Sequence, residues 1–182
     1  MIIISRDYMS ALPNSNRIIS GYPKQKENAW KRKRTMIELL PLEYQYCKEV
    51  AELAAKYLPE AWSYEAVCDV LKYDNNIYYV MKDCTSGTII GFAGMMVIAD
   101  EAELLNIVVS SLYRRKGIAS RLLKQLIDDA RGRQAYRMLL EVRESNDGAR
   151  RLYEQNQFFV IGKRKAYYNN PTEDALIMES ML

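Results

Sequence analysis

The chain contains no histidine. That excludes Ser-His-Asp and Cys-His nucleophilic sites, HExxH zinc hydrolases and any histidine proton shuttle. Proton transfer must therefore run on carboxylate, tyrosine, lysine, cysteine or backbone groups. Cysteine is scarce too: Cys47, Cys68 and Cys84 are odd in number and lack CxxC spacing. This argues against a disulfide framework or a thiolate metal cage, so no metal is expected, and it suits a reducing, cytoplasmic setting. Long apolar runs are missing as well. The longest, Ile89 to Ala99, falls well short of the roughly 20 residues a bilayer requires. Met1 to Ile4 is too short for a signal-peptide core, so no membrane partner is expected.

What is present is an ordinary globular composition of 182 residues, 49% apolar and 27% charged, enough for one domain with some length left over. The net charge of +3 is unevenly placed. Residues 1–34 hold eight Lys and Arg, ending in Lys31-Arg32-Lys33-Arg34, against only Asp7 and Glu27, while the rest of the chain is mildly acidic. The split predicts a basic N-terminal extension over 1–34, poorly structured or peripheral, on a domain spanning 35–182. Such a leader is either a solvated tail or a weak contact to RNA or the ribosome.

Periodicity predicts a mixed α/β domain with six to seven strands and about four helices. Met36 to Leu40 reads as a strand, followed by a helix opened by Pro41 and running to about Leu58. Ser63 is a suitable N-cap for a second helix. Ile77 to Lys82 and Thr88 to Ala99 read as strands separated by Thr85-Ser86-Gly87, and Leu104 to Val109 reads as a strand buried on both faces. A helix opening at Gly117, with Ile118, Leu122, Leu123, Leu126, Ile127 and Ala130 on one face, leads to a strand at Met138 to Val142. That is a βαβ unit. Ser145 or Asn146 caps a short helix through Gln155, Phe158 to Gly162 returns to the sheet, and Ala175 to Met181 closes it.

Arg114-Arg115-Lys116-Gly117-Ile118-Ala119 stands where the buried strand meets the crossover helix. Free amides at a helix N-terminus favour an anion such as pyrophosphate, and Gly117 lets backbone approach it. The turn is neither a Walker loop nor a GxGxxG dinucleotide loop.

On these residues the sequence resembles the GNAT acetyltransferase superfamily, whose acetyl-CoA signature [QR]-x-x-G-x-[GA] is met by Arg114, Gly117 and Ala119. It is similar in particular to the RimI-type N-terminal protein acetyltransferases. Asn106-Ile107-Val108-Val109, Leu140-Glu141-Val142-Arg143 with Ser145-Asn146, Leu152-Tyr153-Glu154 with Phe158, Tyr167-Tyr168, Glu173-Asp174-Ala175 and Ala61-Trp62-Ser63 carry that similarity. The resemblance implies a single-domain GNAT fold and transfer of an acetyl group from acetyl-CoA to a protein N-terminus, the alanine of a small-subunit ribosomal protein. It implies Glu141 as general base, through a water, and Tyr153 as general acid toward the departing thiolate. Ile107, Val108 and Val109 would pair with the pantetheine arm. Arg114, Arg115, Lys116, Gly117, Ile118, Ala119 and Ser120 would hold the phosphates, with Asn146 bonding the cofactor. Glu103 is a rival base. Where the family has glycine before Phe158 this chain has Gln157, so a different turn is expected there. A small-molecule amine or lysine acetyltransferase, and a non-catalytic acyl-CoA or RNA-binding module, are the alternative readings.

Overall fold

A computed structural model describes residues 36–58 and 62–182. The basic leader and Ala61 lie outside the described residues. Strands β1 (Ile37–Pro41), β2 (Asn76–Asp83), β3 (Ile89–Ile98), β4 (Glu101–Val109), β5 (Arg137–Arg143), β6 (Phe159–Tyr168) and β7 (Glu173–Met181) form one sheet. Their order is β1-β2-β3-β4-β5-β7-β6, and every pair is antiparallel except β4 with β5. Four helices flank it: α1 (Cys47–Tyr57), α2 (Tyr64–Asp69), α3 (Ile118–Gly132) and α4 (Asp147–Gln155). This is the mixed seven-stranded, four-helix architecture that the periodicity predicts.

The helices divide between the two faces of the sheet. Leu122 and Leu126 of α3 and Leu152 of α4 pack against Ala93, Met95, Leu104, Ile107, Leu140 and Met178 in one apolar core. Val50, Leu53 and Ala54 of α1 and Val67 of α2 pack on the opposite face against Tyr78, Val80, Phe92 and Val108. Each fully buried aliphatic side chain contributes about 1.5–3 kcal/mol, so the crossover helix is anchored chiefly by its apolar stripe. Ser63 caps α2 as expected, its hydroxyl accepting the Ala66 N–H at 3.2 Å.

Pro41 ends β1 instead of opening a helix; a 3-10 turn at Tyr44–Tyr46 intervenes before α1. Proline is tolerated there because β1 is an edge strand, where a missing N–H costs no second ladder. β4 starts at Glu101, earlier than expected, and is not buried on both faces throughout: Leu105 is exposed. Its partner register jumps from Gly94↔Asn106 to Met95↔Leu104, which leaves Leu105 as the extra residue of a β-bulge. β6 runs longer than Phe158 to Gly162, and as the far edge strand it exposes most of its side chains.

One close approach shapes the sheet beside this bulge. Tyr78 of β2 pairs with Gly94 of β3, and a Cβ on Gly94 would lie 1.9 Å from the Tyr78 ring. The phenol lies flat over a position that admits no side chain.

Gln157 corrects the expectation of a different turn. Its φ is 64°, the left-handed conformation that glycine favours. Gln157 N–H donates to Glu154 O at 3.1 Å and Phe158 N–H to Tyr153 O at 3.0 Å, the double bond pattern of a Schellman cap. The accompanying apolar contact is the Tyr153–Phe158 ring pair, with centroids 5.7 Å apart. The same pattern closes α3, where Gln134 has φ 64° and Ala135 N–H reaches Ala130 O at 3.0 Å.

A non-glycine residue in this conformation costs about 1–2 kcal/mol, partly offset by the greater unfolded-state entropy of glycine. Gln157 is exposed, so little contact is lost on its removal. Gln157→Gly should therefore stabilise the protein by about 0.5–1 kcal/mol. Urea unfolding checks this as a rise in the midpoint at unchanged slope.

Candidate active site

β4 and β5 pair in parallel only over Glu101–Leu104 and Arg137–Leu140, and then separate. Beyond the Leu105 bulge the β5-facing edge of β4 has no strand partner, although its other edge continues to pair with β3 as far as Val109. A cavity of about 480 Å³ occupies this wedge. Glu103 and Asn106 of β4, Glu141 and Arg143 of β5, Tyr167, Tyr168 and Asn169 at the end of β6, and Leu58 and Trp62 between α1 and α2 are among its lining residues. The open edge of Ile107, Val108 and Val109 suits an extended amide-bearing arm laid alongside it as an added strand.

β4 ends at the phosphate-type turn. Arg115 (φ 61°) and Gly117 (φ 80°) both adopt left-handed backbone before α3 begins at Ile118. Left-handed residues in a turn bend successive N–H groups toward one concavity, and the first amides of a helix have no intrahelical acceptor. Ile118, Ala119 and Ser120 have buried side chains, so they meet an anion only through backbone. Arg114 is braced in place: its Nε donates to Val109 O at 3.4 Å and its guanidinium lies 5.2 Å from the Tyr57 ring centroid. Lys116 Nζ sits 4.7 Å from the Tyr113 ring centroid. The Ser111 hydroxyl lies 2.9 Å from Tyr57 Oη and the Ser111 N–H donates to it at 3.0 Å, and these two bonds bring the Tyr57 phenol down to about 8. Tyr57 therefore links the end of α1 to the segment leading into the turn.

After β5, Asn146 caps α4, its Oδ1 accepting Ala149 N–H at 3.2 Å. Its Nδ2 is buried and has no hydrogen-bond partner among the described residues, which leaves both of its N–H groups unpaired. The Glu141 side chain is 18% exposed, and its Oε1 lies 2.9 Å from Arg164 Nη1. Tyr167 also donates to Glu141, a bond that raises the phenol above its ordinary range. Glu103 lines the same cavity on the facing strand but makes no hydrogen bond or ion pair among the described residues.

Tyr153 lies on the buried face of α4 and is 4% exposed. Burial, and secondarily the nearby Tyr168, hold its phenol far above the usual range, so it stays protonated at neutral pH. It does not line the cavity itself; Tyr168, which does, is pushed up to about 12 by burial and by Glu141. Of the residues singled out in the sequence, Glu141, Glu103 and Ile107 meet in one cavity, while the turn over residues 114–120, Asn146 and Tyr153 are not among its lining residues. The sequence assigned no role to Trp62, Arg143, Arg164 or the Tyr167-Tyr168 pair; the β6 residues reach Glu141 and Arg143 through the β5-β7-β6 order of the sheet, and Trp62 comes from the connection between α1 and α2.

A parted parallel strand pair, an unpaired edge and a left-handed turn at the head of the crossover helix together make a cleft suited to an extended donor with an anionic end. The chain belongs to the GNAT acetyltransferase family, whose model matches residues 44–158. The ribosomal protein bS18-alanine N-acetyltransferase of Salmonella typhimurium is 33% identical over 141 residues, covering 71% of this chain and 94% of that protein. The crystal structure of the ribosomal-protein-S18-alanine N-acetyltransferase from Escherichia coli aligns with TM-score 0.73 at 30% identity, covering 80% of this chain and 94% of that one. NAA60 of Arabidopsis thaliana in complex with acetyl-CoA shares the fold, with TM-score 0.72 at 18% identity over 81% of this chain and 99% of that one. No helix among the described residues is long and apolar enough to cross a membrane.

If the turn holds the donor's phosphates, a branched side chain at Gly117 obstructs them and also strains the left-handed backbone. Gly117→Val should weaken acetyl-CoA binding at least tenfold, about 1.4 kcal/mol. Calorimetry on the folded variant measures this, and unchanged affinity would place the phosphates elsewhere.

Proposed function

We propose that the protein transfers an acetyl group from acetyl-CoA to the N-terminal amine of a protein, the alanine of a small-subunit ribosomal protein. The observation that carries this reading is the position of Glu141, an anchored carboxylate in an aromatic-walled cavity where the donor-side edge of β4 opens. The names of the similar Salmonella and Escherichia proteins support the choice of acceptor.

A peptide α-amine has a pKa of about 7.7–8.0, so a sizeable share is protonated near neutrality and must lose a proton before attack. Glu141 accepts that proton through a water. An N–H on the open edge of β4 stabilises the oxyanion. Tyr153 is assigned as the proton source for the departing thiolate on its place in the Leu152-Tyr153-Glu154 motif; it is protonated at neutral pH, and because burial weakens it as an acid the proton leaves only as thiolate charge develops. Arg114 to Ser120 and Asn146 hold the donor, with Ile107, Val108 and Val109 along its arm. Glu103 faces the acceptor without serving as base.

Glu141→Gln keeps the shape of the side chain but cannot accept a proton. It should lower turnover of an alanine-initiated peptide by about 10² to 10⁴ while leaving acetyl-CoA affinity nearly unchanged. Full activity in Glu141→Gln, with loss in Glu103→Gln, would move the base to β4.

Residues 1–34 are proposed to assist encounter with RNA-bearing ribosomal particles, on the strength of their basic excess. A chain lacking them should acetylate a short peptide with unchanged kinetics. On intact particles at low salt it should be slower, and the difference should shrink as ionic strength rises.

A further inference from the structure

One wall of the cavity is formed by Tyr167, Tyr168 and Asn169, where β6 ends and the turn to β7 begins; on the function proposed above this wall meets the acceptor. A single side chain from β5 grips this turn. Arg143 Nη1 donates to Pro171 O at 3.1 Å and to Glu173 Oε2 at 3.0 Å, and Nη2 donates to Asn169 O at 2.9 Å. Its guanidinium lies 4.3 Å from the Tyr168 ring centroid. Both partners of the ion pair are well shielded, with side-chain exposures of 12% for Arg143 and 17% for Glu173. In such surroundings a planar fork that meets three acceptors has no equivalent in the point charge of lysine.

The contact continues to the donor side. The second oxygen of Glu173, Oε1, accepts Ser145 N–H at 2.6 Å. That bond, and then Arg143, hold the carboxyl below its ordinary range. Ser145 adjoins Asn146, which caps α4 and carries the unpartnered Nδ2. One continuous chain of charge-assisted bonds thus runs from the carbonyls of Asn169 and Pro171 through Arg143 and Glu173 to the N-terminus of α4. Charge-assisted bonds of this kind are roughly twice as strong as neutral ones.

We propose that Arg143 and Glu173 form a positioning pair that fixes the aromatic acceptor wall relative to the donor-side N-terminus of α4, so that the two halves of the transfer site move as one body. Neither residue transfers a proton. The kinetic part of this proposal rests on the peptide-acetylating activity proposed above. Small displacements of reacting groups are costly in rate, which is what such a brace prevents.

The test uses the full chain with Arg143→Lys, which keeps the charge, and Glu173→Gln, which keeps the shape. In each variant the KM for an alanine-initiated peptide should rise about tenfold, while acetyl-CoA affinity by calorimetry, to which Asn146 contributes one contact beside those of the turn, should fall by no more than about threefold. Hydrogen exchange should accelerate together in residues 144–146 and 169–172, with β4 and α3 unchanged. An unchanged peptide KM despite faster exchange would reduce the pair to a structural clamp and overturn the proposal. Faster exchange in one segment alone, or equal weakening of peptide and acetyl-CoA binding, would also overturn it. Should the wild-type protein acetylate no peptide, the functional reading fails while the paired exchange still decides whether the two walls are joined.

Discussion

The separation of β4 from β5 is the constraint on which the rest of the site depends. A parallel pair buried between helix layers ordinarily satisfies both of its backbone edges. Here four residue pairs do so and the remainder cannot, because the Leu105 bulge redirects β4 while β5 stays paired with β7 along its whole length. An open backbone edge inside a domain must find hydrogen bonds in water or in a ligand. The molecule supplies a cavity along that edge, a turn with left-handed backbone where β4 leads into α3 and a carboxylate on the opposite strand. The cleft and its carboxylate are thus joined by one irregularity in the sheet.

The polar groups around the cavity have separate tasks because their environments differ. Glu141 is tethered by a cation and a phenol, whereas Glu103 on the facing strand has neither. Tyr153 is deep and neutral, while Tyr57 at the end of α1 is drawn toward ionisation by the hydroxyl and then the N–H of Ser111. Identical side-chain chemistry is sorted by burial and by the donors at hand.

Much of this was legible along the chain where the controlling interaction is local. The stripe of α3, the Ser63 cap and the Asn146 cap depend on residues within a few turns of one another, and the βαβ unit on three elements that follow directly in sequence. Pro41 misled because its tolerance depends on β1 being an edge, a fact of sheet order and not of neighbours. Leu105 gave no signal, since a bulge within an apolar run does not alter its composition. Gln157 was misread for the opposite reason. The residue is atypical for its conformation, and the Schellman bonds with the Phe158 contact outweigh its preference. The three acceptors of Arg143 come from residues 26 to 30 positions away, beyond the reach of any periodicity.

The contact between Tyr78 and Gly94 has a consequence for strand register. β3 is apolar along nearly its whole length, so it lacks the alternation that normally tells a strand which face belongs inside. A slip of one residue against β2 would bring Ala93 or Met95 opposite the Tyr78 ring, where even a Cβ has no room. Steric exclusion at one glycine therefore does the work that hydrophobic patterning cannot do in this strand. It fixes the alignment of β3 and, through β3, the point along β4 at which the bulge falls.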